Sequence, residues 1–293
     1  MKRIFYTLAA CIFISTAFSQ ENNTKPDTVR VGNFVIIKKK TTDTNNSDDK
    51  KVNKKDNDGI SITIDRSNKR KRKNVSTNWW ILDLGFANYR DNTNYSAANA
   101  GGYLRTLRSA DGAVNSSTTT LNTGKSSNVN LWFFMQKLNV SKNVVNLKYG
   151  LGLEMYNFRY DTRLSYRKDN NGIAYAFVDS TSFSKNKLYV GYLTVPLMLN
   201  FDATPDRRRG FSFSAGVSAG YLIGSRNKQI SGNRGKDKTS GNFNLEPFRL
   251  AAIGEIGLGP VRIYGSYSLN NLHKSATRME QAPYAVGIRL SNW

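Results

Sequence analysis

The residue of this chain best suited to acid–base chemistry is its single histidine, His273, which stands beside Lys274 and Ser275. An imidazole that takes the proton of a serine hydroxyl is the basis of nucleophilic catalysis, and a carboxylate normally orients it. No carboxylate near His273 follows the motif of a nucleophilic triad. We therefore expect a solvated loop histidine and no enzymatic activity. A lipid-modifying enzyme that uses His273 is the alternative.

A second set of reactive groups consists of charged residues spread over alternating apolar segments. They are Asp83, Lys148, Glu154, Arg249, Glu255, Arg262 and Arg289. Paired carboxylates can act as acid and base on a glycosidic bond. Cations recur on the same face of the segments, however, and opposite charges at the same depth can pair with one another. We interpret the seven residues as a structural charge network.

The N-terminus reads as an export signal over residues 1–19. "MKR" precedes the apolar run "IFYTLAACIFISTAFS", and the small residues Ala17 and Ser19 have the spacing of a cleavage site. Cleavage there removes Cys11, the only cysteine, which excludes disulfides and thiolate metal sites. We expect no metal and no cofactor. "LAAC" at 8–11 also resembles a lipoprotein box, but the apolar run continues beyond Cys11.

The formal net charge is +22, which suggests an anionic partner or a solvated charged segment. An exported protein meets little nucleic acid, so we expect no nucleic-acid partner. Residues 20–77 are polar and charged and have the composition of a largely disordered segment. Two short β-prone islands, "TVRVGNFVII" and "GISITID", interrupt it. We expect this segment to lie in the periplasm, where a cell-wall or other periplasmic partner could bind it.

From residue 78 onward the texture changes to segments of about ten residues in which apolar residues alternate with small or polar ones, the signature of β-strands. The segments are 79–89, 128–136, 146–158, 192–201, 211–224, 248–258, 261–270 and 284–293. No apolar run after residue 20 approaches the ~20 residues of a helical span. The pattern predicts about eight strands, separated by turns and polar loops.

The connections between these segments alternate in length. Those at 141–143, 202–209 and 257–260 are short, whereas those near 91–126, 161–186, 225–244 and 271–282 are long and rich in Asn, Ser, Thr and Gly. An even strand number with alternating turn lengths is typical of outer-membrane barrels. We predict an all-β, antiparallel up-and-down transmembrane β-barrel of about eight strands at 78–293. Both termini would lie at the periplasmic, short-turn side.

The apolar face of the segments is expected to contact lipid. The opposite face carries glycine, serine and the seven charges, which suits a narrow eight-stranded lumen better than the surface of a soluble barrel. The stretch "KRKRKNVSTNWW" at 69–80 would mark the periplasmic boundary. We predict interfacial roles for Trp79, Trp80 and Trp293, and headgroup contacts for the basic run Lys69, Arg70, Lys71, Arg72 and Lys73.

Three stretches, "NVSTNWWILDLGFANY", "YLTVPLMLNFD" and "YAVGIRLSNW", resemble the outer-membrane β-barrel domain proteins of Bacteroidota, often labelled PorT-like. The resemblance covers residues 75–293. It implies location in the outer membrane of a Gram-negative bacterium and insertion by the barrel-assembly machinery, and it implies no agreed molecular activity. One departure is that Trp293 lies out of phase with the apolar positions Tyr284 to Leu290.

We therefore expect a non-enzymatic protein whose partners include outer-membrane lipids, with a surface-structural, adhesion or binding role through long extracellular loops. The first long loop would expose Tyr95, Tyr103 and Leu104, and the stretch 232–242 would form a loop tip. A narrow pore is a further alternative, disfavoured because charge pairs would fill so small a lumen.

Overall fold

The computed structural model describes residues 74–204 and 210–291, together with the backbone of two short strands, β1 (Thr28–Val31) and β2 (Phe34–Ile37). β1 and β2 pair as an antiparallel hairpin, so the first β-prone island forms strands. The predicted signal peptide, the second island, the basic run Lys69–Lys73 and Trp293 lie outside the described residues. The chain divides into two compact units, Met1–Arg72 and Lys73–Trp293.

The second unit is a closed ring of eight antiparallel strands, which confirms the predicted fold class. The described strands of this unit, eight in the ring and four outside it, are in chain order β3 (Val75–Asp91), β4 (Leu104–Arg105), β5 (Ser127–Ser141), β6 (Val145–Tyr160), β7 (Leu164–Lys168), β8 (Ala174–Val178), β9 (Lys185–Asp202), β10 (Phe211–Ser231), β11 (Gly235–Ser240), β12 (Phe248–Leu258), β13 (Val261–Ser268) and β14 (Gln281–Leu290). The ring order is β10-β12-β13-β14-β3-β5-β6-β9, and β9 pairs back onto β10. Each predicted segment overlaps one ring strand.

Alternation along the ring strands separates a polar lumen from an apolar outer surface. On β6, for example, Lys148 and Glu154 are buried while Leu151 and Leu153 face outward. Exposed leucine, valine, isoleucine and aromatic side chains continue this outer surface around the ring. We call it the apolar band. A soluble barrel would place these side chains inside.

Strict alternation is interrupted on β10, where the register with β9 shifts between Leu222 and Gly224, and again where β3 and β5 bulge side by side. Trp80 has a φ of 55° and no ladder partner, and Phe133 is skipped between Trp132 and Phe134 in the pairing with β6. The extra residues reverse the phase beyond them. Met135, which uninterrupted alternation with Val129 and Leu131 would place on the outer face, is therefore fully buried in the lumen. Both tryptophans of the pair, Trp79 and Trp80, point outward instead of to opposite faces.

The four long connections are folded rather than irregular. They contain helices α1 (Tyr95–Ala100) and α2 (Ser116–Thr119), 3₁₀ turns at Ser109–Asp111 and Ser275–Thr277, and a three-stranded sheet in the order β4-β8-β7. The stretch predicted as a loop tip at 232–242 is mainly β11, which extends β10 as a hairpin. We call residues 92–126, 161–184, 232–247 and 269–280 together the cap. Among the described residues no helix is long and apolar enough to cross a membrane.

The cap has its own core, which corrects the expectation that its aromatic residues are exposed. Tyr103 is 4% exposed, Leu104 is buried as well, and Tyr95 is half-buried. They pack in one apolar cluster with Tyr166, Phe243 and the upper lumen-facing side chains of the ring. Burial of these apolar side chains against the barrel mouth is more favourable than their exposure at the surface.

Candidate functional site

The structure brings the seven charges predicted for the lumen together inside the barrel. All are buried: Asp83, Lys148, Glu154, Arg249, Glu255, Arg262 and Arg289. Five of the eight ring strands supply one or two of them, because each stands at an inward position of its strand. Four cations meet three anions, so their formal charges nearly balance.

Glu255 is the centre of this network. Its Oε1 accepts from Lys148 Nζ, from Arg262 Nη1 at 3.1 Å and from the Ser214 hydroxyl at 2.9 Å. Its Oε2 accepts from Arg289 Nη1 at 2.6 Å. One carboxylate thus neutralises charge from three strands other than its own, and burial makes those bonds strong.

Asp83 and Arg289 form the second element of the network, across the pair β3–β14 that closes the ring. The two residues are direct register partners, and their side chains meet through two bonds, Nε–Oδ1 at 2.7 Å and Nη2–Oδ2 at 2.8 Å. Trp132 Nε1 also donates to Asp83 Oδ2 at 2.7 Å. The bidentate geometry fixes both side chains as well as their charge.

The third element lies nearer the cap. Arg249 Nη1 donates to Glu154 Oε2 at 2.7 Å, and its other nitrogens donate to Ser266 and Ser268 at 2.7 and 2.8 Å. The guanidinium also stacks over Tyr156, 5.0 Å from the ring centre. Serine at these inward positions leaves room for the long arginine, as the alternation of the strands suggested.

Each carboxylate of the network accepts from at least one cation at hydrogen-bonding distance. Each charge is thus paired and held in a fixed place, which suits a structural role. Trp132 was not identified from the sequence as part of this network. The sequence around Trp132 does not indicate this role, because its contact with Asp83 depends on how β3 and β5 pair.

The geometry around His273 contradicts the expectation of a solvated loop residue. The side chain is 2% exposed and lies between the rings of Tyr103 and Tyr166, with centroids at 5.8 and 6.2 Å. Neither ring nitrogen has a hydrogen-bond partner among the residues described. Burial lowers the pKa of His273 to about 4, with a smaller opposing effect from Asp91. The imidazole is therefore neutral and enclosed.

Ion pairs join the first three loops of the cap, and a hydrogen bond joins the fourth loop to the first. Arg105 contacts Asp169 at 3.1 Å between the first and second loops, and Arg163 contacts Asp111 at 3.1 Å between the same two. Further pairs connect the second loop to the third: Arg167–Asp237 at 2.6 Å and Arg234–Asp179 at 2.8 Å. Tyr103 Oη donates to the Phe243 carbonyl at 2.7 Å, and Arg278 donates to Ala97 O at 3.1 Å. The cap is one connected unit.

Aromatic pairs lie on the outer surface near both ends of the apolar band. Trp79 and Trp80 are 64% and 66% exposed and contact Phe134 and Phe133, each at 5.9 Å between ring centroids. Phe201 stacks on Phe213 at 4.8 Å at the same, short-turn end. At the cap end, Tyr221 contacts Phe248 at 5.2 Å. Exposed aromatic rings in two belts are typical of membrane interfaces.

Comparison with known proteins gives one family. A family model described as "Outer membrane protein beta-barrel domain" matches residues 83–274, more than half of the chain. No curated protein matches the sequence. The similar solved structures include Ail, the attachment invasion locus protein of Yersinia pestis, at 10% identity and a TM-score of 0.30, covering 73% of this chain and 97% of Ail. A complex of the same protein with the heparin analogue sucrose octasulfate has a TM-score of 0.28, with the same identity and coverage.

Proposed function

The chain belongs to the outer-membrane protein β-barrel domain family, and we propose that it is a non-enzymatic surface protein that binds a ligand through its cap. The barrel lies in the outer membrane. Within the family we assign it to the PorT-like group of Bacteroidota, because the stretches 74–89, 192–202 and 284–293 resemble proteins of that group. In this assignment the barrel-assembly machinery inserts it.

The observation that carries this proposal is the connected cap. Loops that were free in solution would lose conformational entropy on binding, whereas loops already joined by buried rings and ion pairs lose little. The cap leaves apolar and basic side chains exposed at its tips, including Leu107, Arg108 and Ile173. A preformed surface with such groups is suited to recognition.

The proposed orientation places the cap outside the cell and both ends of the chain in the periplasm. Outer-membrane barrels have short periplasmic turns and long extracellular loops, and the connections between the ring strands here alternate between short and long in the same way. Residues 20–77 would then reach toward a periplasmic or cell-wall partner. Surface biotinylation of intact cells should label Lys168 in the cap and leave residues 20–77 unlabelled.

Two alternatives are less well supported by the geometry. A pore requires an open lumen, whereas seven charged side chains and the cap core occupy this one. An enzyme would need His273 within reach of a nucleophile and a substrate. Its enclosure between Tyr103 and Tyr166 supports a packing role instead.

The decisive experiment is a binding screen with the purified full chain in lipid nanodiscs, against immobilised glycans and extracellular-matrix proteins. The variant L107S/R108S/I173S changes the cap tips. The matched control V140S/K142S changes exposed residues at the short-turn end. We expect the cap variant to lose roughly tenfold or more in affinity for whatever the wild type binds, and the control to bind normally.

Three results would contradict the proposal. The first is equal binding by the cap variant and the wild type, and the second is no binding by the wild type at all. The third is a different activity: single-channel conductance steps in planar bilayers would favour the pore, and acyl-chain release that disappears in His273→Ala would favour the enzyme.

A further inference from the structure

Four cations form a straight row on the outer wall of the barrel at its cap end. The pairing register runs Arg159↔Lys187↔Lys228↔Lys238 across β6, β9, β10 and β11. We call these four residues the cation ladder. Lys185, Arg226 and Lys236 stand at neighbouring outward positions of the same strands. Adjacent strands lie about 4.8 Å apart, so four strands carry the row over roughly 14 Å.

Like charges directly opposite each other on adjacent strands destabilise a sheet. Among the described residues, no carboxylate forms a salt bridge with any ladder residue, whereas the cap cations Arg105, Arg163 and Arg167 all have one. The hydrogen bonds of the ladder go to neutral oxygens: Lys187 Nζ donates to Asn157 Oδ1, and Arg159 to the Ser184 carbonyl, both at 2.6 Å. The structure therefore retains an electrostatic cost that an external anion would remove.

The height of the ladder limits the kind of anion. On the outward face of β9, Lys187 is followed by Tyr189 and then by Leu193, where the apolar band begins. A rise of about 3.3 Å per residue and a tilt of about 40° place Lys187 roughly 15 Å above Leu193. The polar zone of a phospholipid bilayer is only about 5–8 Å deep on each side. Phospholipid phosphates would thus lie below the ladder.

We propose that the cation ladder binds the phosphate groups of a glycolipid whose phosphorylated saccharide headgroup extends above the acyl chains, as lipopolysaccharide does in the outer leaflet. The apolar band below would contact the acyl chains of the same lipid molecules, since band and ladder share one outward surface. The inference takes from the proposed function only the placement of the cap outside the cell. It assigns a lateral lipid site that is separate from the cap tips.

The test is a titration of the purified full chain in detergent micelles with lipopolysaccharide, followed by native mass spectrometry or thermophoresis. The ladder variant is K187Q/K228Q/K238Q. The matched control K125Q/K142Q/K168Q removes the same charge from exposed positions elsewhere. Each cation near an anionic headgroup contributes roughly fivefold to the affinity, so the loss of three should weaken binding by at least tenfold in the ladder variant. The control should change affinity by less than about twofold.

Chemically dephosphorylated lipopolysaccharide and a heparin fragment serve as competing probes. Weak binding of the dephosphorylated lipid supports the proposal, and binding equal to that of the intact lipid overturns it. Tighter binding of heparin than of lipopolysaccharide also overturns it, because a soluble sulfated glycan would then be the ligand. A ladder variant that binds like the control has the same consequence.

Thermal unfolding supplies a second readout, because the order of stability of the ladder variant and the wild type should reverse when lipopolysaccharide is added. Without the lipid, removing repelling cations should raise the unfolding temperature of the ladder variant above that of the wild type. With saturating lipopolysaccharide, the wild type should become the more stable chain. A lower unfolding temperature under both conditions would overturn the proposal. If Lys168 is labelled on intact cells and the ladder variant still binds normally, this proposal alone fails; if Lys168 is inaccessible, the orientation in the proposed function fails as well.

Discussion

Glu255 and Arg289 stand on β12 and β14, which are not neighbours in the ring, and their side chains meet inside the barrel at 2.6 Å between Oε2 and Nη1. The contact passes across β13, which lies between the two strands. Arg289 also holds Asp83 on β3. A single guanidinium thus connects both sides of the ring closure to the central carboxylate.

Replacing that carboxylate should therefore destabilise the whole barrel. In Glu255→Gln, three buried cations (Lys148, Arg262 and Arg289) lose a charged partner. We expect the free energy of unfolding to fall by roughly 3–5 kcal/mol. Urea titration in micelles, read by the gel shift between folded and unfolded barrel, measures it. Glu280→Gln, at an exposed position, should stay within about 0.5 kcal/mol of wild type, and an equal loss in both variants would show that burial is irrelevant.

The cap should open separately from the barrel in Tyr103→Ala. This change removes a buried ring and its hydrogen bond to the Phe243 carbonyl, a loss of roughly 3–5 kcal/mol. Trypsin should then cleave at Arg105, Arg108 or Lys168 while the ring still runs as a folded barrel on gels. Ile173→Ala, at an exposed loop tip, is the control and should remain resistant. Simultaneous loss of the barrel would mean that cap and ring are one cooperative unit.

Acid should loosen the cap through His273. Its pKa is about 4 in the folded protein and 6.5 in an exposed chain, so the unfolded state binds the proton more readily. The contribution of the neutral, buried imidazole to the free energy of unfolding is therefore complete above pH 6.5. It is lost as the pH falls toward 4, by at most about 3 kcal/mol. Hydrogen exchange of residues 241–247 and 269–280, corrected for intrinsic rates, would follow it. His273→Phe should be insensitive to pH over this window; a dependence that persists there must come from another group.

The tryptophans provide a test of the membrane boundary. A W79F/W293F chain retains Trp80 and Trp132, and a W79F/W80F/W293F chain retains only Trp132. Lipids brominated near the headgroup should quench Trp80, which is 66% exposed on the outer wall, and should leave Trp132, 2% exposed in the lumen, nearly unquenched. Deeply brominated lipids should quench Trp80 less. Equal quenching of both chains would place Trp80 away from the interface.

The ring itself could be predicted from the sequence because its signal is local. Alternation at positions such as Leu147 to Met155 is imposed by the pleat, whatever the partner strand. The inward charges could be predicted for the same reason. Their individual partners could not, since the pairing of Lys148 with Glu255 joins residues far apart in the chain and depends on barrel closure.

The bulge and the cap escaped prediction for different physical reasons. Trp80 on β3 and Phe133 on β5 are each extra residues without a partner in the strand pairing. Alternation in the sequence does not show where such an extra residue lies. In the cap, Tyr103 finds its partner Phe243 in another loop. Loops without periodicity give no indication of which apolar residue is buried, so the enclosure of His273 could only be seen in three dimensions.

The bidentate pair of Asp83 and Arg289 has a consequence for assembly. These two residues join the first and last strands of the ring, the final pairing that a barrel must make. A shift of one residue in that pairing would turn one of the two charges toward the lipid and break the bidentate pair. No turn joins β3 to β14, so no turn sets the register of this strand pair. The Asp83–Arg289 pair instead penalises closure in a wrong register. The ion pair forms fully only when β3 and β14 join in the correct register, so it selects the correctly closed ring.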